Sequence, residues 1–130
     1  MAEAVKRYTF PVIAVVFVNN SLRPRESLLI MQSFRHQIGT ITHLNLSQNN
    51  LSLSGAEYLE TVIPAMRSIK QLHLNECHLG DRGVRKIVAK LEDFTALDVL
   101  DLSGNQIGQS SYFKESAAAL ISFIAKQTQL

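Results

Sequence analysis

The stretch Ile41–Leu51, ITHLNLSQNNL, recurs twice more along the chain, as IKQLHLNECHL from Ile69 and as LDVLDLSGNQI from Leu97. The three copies start at equal intervals, at Ile41, Ile69 and Leu97. Their apolar residues coincide at positions one, four, six and eleven without any gap. A pattern that returns at one spacing indicates structural units that stack on one another, and three matched copies make this signal strong.

Each copy has the pattern of a short strand followed by a sharp turn. Alternation sends the leucines at positions four and six to one face of the strand and the intervening residues to the other. Position nine is Asn49, Cys77 or Asn105. A side chain at that point that hydrogen-bonds nearby backbone groups supports the turn, so we call this row of residues the ladder.

The pattern L-x-x-L-x-L-x-x-N/C-x-L resembles the leucine-rich repeat, and the stretch LGDRGVRKI from Leu79 resembles its ribonuclease-inhibitor class. No single repeat buries its own leucines, so the copies are expected to stack. The resemblance therefore implies an α/β solenoid, a horseshoe segment of about four repeats. It would carry a short parallel sheet on its concave face and helices on its convex face.

A first, degenerate copy precedes the three clear ones. Counting back by one repeat interval from Ile41 gives Ile13, with Val16 and Val18 at positions four and six. Ser21 then takes the ladder place. We therefore expect the ladder to consist of Ser21, Asn49, Cys77 and Asn105.

The segments between the strands carry apolar residues at helical spacing. These residues are Leu28, Met31, Phe34, Ala56, Leu59, Val62, Ile63, Val84, Ile87, Val88, Leu91, Leu120 and Ile124. Ser54 and Glu57 have the spacing of a capping box, and Asp81 is predicted to cap the third helix. Four helices are therefore expected.

The fourth segment contains an insert. Aligning Leu120 with Ile87 requires a longer offset than the interval between the other repeats, so about five extra residues lie near 109–116. We expect a loop there, which either carries contacts or is a tolerated surface insertion. The same offset places Leu130 at position one of a further repeat.

The repeats predict one leucine-rich repeat domain over residues 1–130, with repeats that start near 13, 41, 69 and 97. A solenoid needs a polar cap over its last repeat, and the end of this sequence offers little that is polar. Three alternatives follow: a fragment of a longer repeat protein, a final helix that is itself the cap, or an end covered by another subunit of a homo-oligomer.

Composition indicates an ordinary globular chain, with 46% hydrophobic residues, 18% charged residues and a net charge of +2. Beyond Arg23, Arg25 and Arg35 there is no electrostatic signal for nucleic acid or for a membrane surface. The apolar stretch TFPVIAVVFV is too short to span a bilayer and lacks the cleavage pattern of a signal peptide. Cys77 is the single cysteine, which favours a reducing, cytoplasmic setting.

By alternation, the residues at positions three, five and seven face outward and form a candidate surface for a protein partner. The residues predicted to bind the partner are Val15, Phe17, His43, Asn45, Gln71, His73, Asn75, Val99 and Asp101. Val15 and Phe17 offer an apolar anchor, unless residues Met1 to Phe10 bury them. His73 and Asp101 are expected on neighbouring strands, which predicts a pH-sensitive contact.

Chemistry at this surface is not expected. Cys77 and His78 are adjacent like a nucleophile and its base, but a ladder cysteine is predicted to be buried in the turn. His43, His73 and Asp101 could approach one another as metal ligands, yet nothing supplies a fourth ligand. We predict no catalytic residue, no metal and no cofactor.

The leading hypothesis is a non-enzymatic module that binds a protein partner, of unknown identity, on its concave sheet face. The repeat resemblance implies two alternatives. One is a GTPase-activating or other regulatory fragment of a longer leucine-rich repeat protein. The other is a bacterial effector that acts on a host protein in the host cytosol.

Overall fold

The repeated leucines bring four short strands into one parallel sheet, backed by helices on its other side. The computed structural model describes residues 13–94 and 97–127. The elements are β1 (Ala14–Val16), α1 (Pro24–Ser33), β2 (His43–Asn45), α2 (Ser52–Val62), β3 (Gln71–His73), α3 (Gly80–Leu91), β4 (Val99–Asp101) and α4 (Phe113–Gln127). The strands lie in the order β1-β2-β3-β4. The solenoid predicted from the sequence is therefore confirmed.

The register of the inner strands follows the constant spacing of the clear repeats. Leu44 lies opposite Leu72, and Leu72 lies opposite Leu100, in parallel pairs. Leu44 and Leu72 are 1% and 0% exposed, whereas Leu100 is half-buried. Leu100 is more accessible because β4 is the last strand of the sheet. Each repeat thus buries the leucines of its neighbours.

The core lies between the sheet and the helices. Residues predicted at helical spacing, such as Met31, Leu59, Ile87 and Leu91, are at most 1% exposed and pack against the strand leucines. Burial of an aliphatic side chain of this size contributes roughly 1.5 to 3 kcal/mol. Apolar stacking of this kind is the main stabilising term in the solenoid.

The first repeat is shifted by one position from its predicted register. Val15, rather than Val16, lies opposite Leu44. Val15 is 7% exposed, and Phe17 packs against the core. Val16 and Val18 are 61% and 39% exposed. The prediction that Val15 and Phe17 face outward is wrong, because a shift by one position in a strand reverses the face of every side chain.

The prediction that Ser21 occupies the ladder position is wrong. Because of the shift, Asn20 occupies it instead. The Asn20 amide Nδ2 donates to the carbonyl of Val18 at 3.2 Å. In the observed register Asn20 and Leu22 match positions nine and eleven, so this repeat is less degenerate than predicted. The extra residue lies in the segment between the strands, where the length of chain is less constrained than in the sheet.

The ladder side chains tie each repeat to the one before it. The Oδ1 of Asn105 accepts hydrogen bonds from the N–H groups of Cys77 (2.9 Å) and Leu79 (3.2 Å). Its Nδ2 donates to the carbonyls of Leu74 (2.7 Å) and Leu102 (2.8 Å). Asn105 is 1% exposed. One buried amide therefore satisfies four backbone groups of the two consecutive turns.

Asn49, in the repeat before that of Cys77, makes bonds equivalent to those of Asn105. Its Oδ1 accepts from the N–H of Asn20 at 3.0 Å, and its Nδ2 donates to the carbonyls of Phe17 and Leu46. At the intervening position the thiol of Cys77 donates to the Leu46 carbonyl, with an Sγ to O distance of 3.2 Å. The cysteine thus reproduces one of the donor contacts that an asparagine makes.

Two helix starts differ from prediction. The Ser54 and Glu57 capping box is wrong, because α2 already begins at Ser52. Asp81 is not a cap, because α3 begins at Gly80 and Asp81 lies in its first turn. At both starts the chain enters the helix directly from the repeat turn, so no separate capping side chain is used.

The last helix is rotated relative to its predicted alignment. Ile124 was expected to be buried, yet it is 56% exposed, while Phe123 and Ser116 are 8% and 0% exposed. Ser116 and Phe123 therefore correspond to Val84 and Leu91 of the preceding helix. The spacing along the chain between corresponding residues of the two helices is one residue shorter than predicted. Part of the insert is helical, since α4 begins at Phe113.

We expect Asn105→Ala to lower the free energy of unfolding by about 1 to 3 kcal/mol, because backbone groups of two turns lose their buried partner. Chemical denaturation followed by circular dichroism measures this change. Asn50→Ala is the matched control, since Asn50 is exposed. A loss for Asn105→Ala no larger than that of the control would contradict a structural role for the ladder.

Candidate protein-binding face

Side chains from all four strands form one solvent-facing surface, which we call the sheet face. Its residues are Val16, Val18, His43, Asn45, Gln71, His73, Asn75, Val99, Asp101 and Ser103. Strand pairing sets His43, Gln71 and Val99 in one row and Asn45, His73 and Asp101 in another. The structure thus brings together the predicted residues of the last three strands. It excludes Val15, which belongs to the core, and Phe17, which packs against the core.

An apolar corner does exist at the β1 end of the sheet face, but with other residues than predicted. Val16 and Val18, two residues apart in the chain, are 61% and 39% exposed. The alternative that residues Met1 to Phe10 bury Val15 and Phe17 concerns residues outside those described. The shifted register therefore replaces the predicted anchor of Val15 and Phe17 by two valines.

Two residues of the sheet face also stabilise the turns that follow their strands. The Oδ1 of Asn45 accepts from the N–H of Ser47 at 3.1 Å, and the Oδ1 of Asp101 accepts from the N–H of Ser103 at 3.0 Å. Short polar side chains commonly bond the backbone two positions ahead in this way. Substitution of either residue would consequently disturb the turn as well as the surface.

His73 and Asp101 lie opposite each other on β3 and β4, as predicted, and each also has a polar partner within its own repeat. The Asp101 carboxylate accepts from the Ser103 hydroxyl at 2.7 Å, and the His73 Nε2 lies 3.4 Å from the Oε1 of Gln71. The hydroxyl and N–H of Ser103, and then the charge of His73, hold the pKa of Asp101 below its usual value. Asp101 is therefore a negative charge on the sheet face at neutral pH.

Cys77 is unsuited to act as a nucleophile. Its thiol is fully buried, and burial raises its pKa to about 11. A thiol with that pKa is protonated at neutral pH, whereas the thiolate is the reactive form. The neighbouring His78 is exposed. The two side chains therefore do not combine into a catalytic pair.

The described residues offer neither a cluster of metal ligands nor a membrane-spanning helix. Across residues 13–94 and 97–127, no three or more His, Cys, Asp and Glu side chains are grouped so as to hold a metal ion. Within the same part of the chain, no helix is both long enough and apolar enough to cross a membrane.

The carboxylate of Asp81, which was predicted to cap the third helix, instead holds the insert near 109–116. Asp81 is 2% exposed, and its Oδ1 accepts from the N–H of Gly108 and the hydroxyl of Ser116, both at 2.8 Å. Its Oδ2 accepts from the N–H and the hydroxyl of Ser110, at 3.1 and 2.7 Å. Four hydrogen bonds to a single carboxylate thus fasten the insert to the start of α3.

These bonds stabilise the charged form of Asp81. The N–H of Gly108 contributes most, and the hydroxyls of Ser110 and Ser116 add to it, so the pKa of Asp81 falls to about 2 in spite of burial. The sequence contained a weak signal for this arrangement, namely several serines in an insert that follows a helix with an acidic first turn. Their pairing is visible only in three dimensions.

We expect Asp81→Asn to lower the free energy of unfolding at neutral pH, because the insert loses a charged acceptor. The folded pKa is depressed, so the stabilisation is present above the unfolded value of 3.8 and is lost as the pH falls toward about 2. The stability difference between wild type and variant is therefore expected to shrink over that interval. Urea denaturation at several pH values measures it.

The control is Asp98→Asn, which changes an exposed carboxylate on the same protein. Its stability difference from wild type should be small at every pH. A pH-independent difference for Asp81→Asn would contradict the role of the ionised carboxylate.

The family described as Leucine Rich repeat matches this chain at residues 40–59, 65–88 and 95–110. These ranges contain β2, β3 and β4 with their ladder residues. The first strand lies outside them, in keeping with its different spacing. The match therefore falls on the repeats that the sequence pattern made clearest.

Known proteins that are similar to the chain include a mouse protein and a domain of a nematode protein. The chain is 31% identical to protein NLRC5 of Mus musculus over 112 residues. These residues are 86% of this chain but 5% of NLRC5, so the chain spans about one twentieth of that relative. The fold of the chain is similar to that of the tropomodulin C-terminal domain of Caenorhabditis elegans, with a TM-score of 0.75 and 12% sequence identity, and the match covers 97% of this chain and 74% of the other. Because the sequence pattern, the family match and the stacked strands agree on the same residues, this chain is a leucine-rich repeat protein.

Proposed function

We propose that this protein is a non-enzymatic interaction module that binds another protein on its sheet face. One observation carries the proposal: half-exposed side chains of four adjacent strands stand in ordered rows on one side of the sheet. A surface of this kind presents many side chains at fixed separations. Preorganised side chains lose little conformational entropy when a partner binds, which favours affinity.

The side chains of the sheet face change in polarity and charge from β1 to β4, which indicates the chemistry of the partner. Val16 and Val18 are apolar at the β1 end, amides and imidazoles follow in the middle, and Asp101 is anionic at the β4 end. Interfaces between proteins commonly combine an apolar anchor with a polar rim. The partner is therefore expected to place an apolar side chain against the two valines and a basic group near Asp101.

The proposal includes a reducing, cytoplasmic setting and a non-enzymatic role. The buried free thiol of Cys77 is compatible with the reducing setting of the cytoplasm. Its burial also supports a non-enzymatic role. The GTPase-activating and effector alternatives stay predictions of the repeat resemblance. An assay of GTP turnover with a panel of GTPases separates the first of them from simple binding.

We expect a variant carrying Val16→Asp and His73→Ala to bind its protein partner about tenfold more weakly or worse, since interface anchors commonly contribute more than about 1.4 kcal/mol each. Affinity capture from the source cells, followed by quantitative mass spectrometry, measures which proteins wild type retains and the variant loses. Asn45 and Asp101 are left unchanged because they support turns.

The matched control carries Glu57→Ala and Arg85→Ala, two exposed residues on the helix side of the solenoid. It should retain the captured proteins. Thermal denaturation of both variants shows whether the fold is intact. Loss of the same proteins from the control, or their retention by the sheet-face variant, would contradict the proposal.

We further propose that the face formed by β4 and α4 pairs with the same face of a second copy. Ile121 and Ile124 on α4 are 67% and 56% exposed. Leu100 on β4 is half-buried, whereas its equivalent Leu72 is 0% exposed. A two-fold pairing would cover the β4 edge of both copies and close the assembly at two copies, whereas head-to-tail stacking would leave an end open to further copies.

We expect the protein to be dimeric in light scattering at about 100 μM, and Ile121→Glu to shift it toward the monomer, because a carboxylate buried in an apolar interface is unfavourable. Leu29→Glu is the control, since Leu29 is 60% exposed on α1 at the other end of the solenoid. A monomeric wild type, or equal effects of the two substitutions, would contradict pairing through this face.

A further inference from the structure

The insert builds a cleft on the edge of the solenoid where strands turn into helices, away from the sheet face. Its volume is about 290 Å³. It is lined by Leu53 at the start of α2, by Leu79, Gly80, Asp81 and Arg82 around the start of α3, and by Ser110 and Tyr112 of the insert. Three consecutive repeats therefore contribute to one depression. The regular repeats alone would not form its wall, because Tyr112 lies in the added residues.

The wall of the cleft is stiffened by the Asp81 carboxylate. Its bonds to Gly108, Ser110 and Ser116 fasten both ends of the insert to α3. Tyr112 continues this restraint, because its N–H donates to the hydroxyl of Ser110 at 3.2 Å. A restrained wall can receive a ligand without a large loss of conformational entropy.

The floor of the cleft is apolar and open. Leu79 is 3% exposed at its base, and Gly80 presents no side chain. A Cβ built on Gly80 would meet nothing within 4 Å, so the space above this backbone is free. Small-molecule sites usually enclose about 300 to 1,000 Å³. This volume lies at the lower limit and suits one apolar side chain of a peptide.

The rim of the cleft is cationic. The Arg82 guanidinium lies 5.1 Å from the centre of the Tyr112 ring, which orients it at the opening. Arg82 is exposed at this rim, whereas Arg85, also exposed on α3, does not line the cleft. The one carboxylate among the lining residues, Asp81, is buried and already accepts four hydrogen bonds. The charge offered to a ligand is thus positive.

We propose that this cleft binds a short acidic peptide segment of another protein, with one apolar side chain seated between Leu79 and Tyr112. A carboxylate next to that side chain pairs with Arg82. Arginine favours this geometry because its planar fork donates two parallel hydrogen bonds to a carboxylate. The cleft is separate from the sheet face, so the proposal is independent of what binds there.

The experiment is a titration of the 15N-labelled full chain with synthetic peptides, followed by NMR. The probe is a hexapeptide with one leucine among glutamates and aspartates, blocked at both ends. Two matched peptides replace the leucine by alanine, or the acidic residues by lysines. We expect the acidic leucine peptide to shift the amide signals of Leu53, Gly80, Arg82 and Tyr112, and to bind about tenfold more tightly than either matched peptide.

Charge-reversed variants distinguish a specific ion pair between the peptide and Arg82 from long-range electrostatic attraction. Arg82→Glu is expected to weaken binding about tenfold or more, whereas Arg85→Glu carries the same change in net charge and is expected to have a small effect. Tyr112→Ala removes the apolar wall and should weaken the leucine peptide more than the alanine peptide. The amide spectrum of each variant shows that it is folded.

Three results would overturn the proposal. The first is the absence of localised shifts at millimolar peptide. The second is equal weakening by Arg82→Glu and Arg85→Glu, which would indicate long-range attraction only. The third is equal binding of the leucine and alanine peptides, which would show that no side chain enters the cleft. Shifts confined to the sheet face belong with the first result, because they would place the peptide outside the cleft.

Discussion

The structure depends on the burial of leucines that no repeat can bury by itself. Leu72 is shielded because Leu44 and Leu100 occupy equivalent sites on the two neighbouring strands. The ladder side chains make this stacking compatible with polar backbone, since Asn105 satisfies groups in two successive turns. Apolar burial thus supplies the energy of association between repeats, and the buried amides define how closely and in which register the turns lie.

The surfaces proposed for binding follow from this arrangement in two ways. The sheet face is a direct product of the repeat, because every strand that sends leucines inward sends its other side chains outward. The cleft has the opposite origin. It exists because one repeat departs from the pattern, and because Asp81 binds the added residues so that they form a fixed wall. Regularity therefore provides an extended surface, and a single irregularity provides a local one.

The first repeat shows how strongly the composition of the exposed face depends on register. With Val15 opposite Leu44, the aromatic Phe17 joins the core and Val16 joins the sheet face. An apolar corner is present in either register, but its shape differs, because two separated valines replace a phenylalanine. At the other end of the sheet, Asp101 combines a role in its own turn with a negative charge toward solvent. A partner would thus meet side chains that are already held in place.

Alternation and repeat spacing were enough to predict the α/β solenoid, the inward leucines and the places of Asn49, Cys77 and Asn105, because both depend only on neighbours along the chain. They also predicted that His43, Gln71 and Val99 lie in one row. The register of β1, the burial of Phe123 in place of Ile124, and the partners of Asp81 became visible only in the folded protein. Each of these depends on how much chain lies outside the sheet and on contacts between residues distant in sequence. Periodicity along the chain does not specify such contacts.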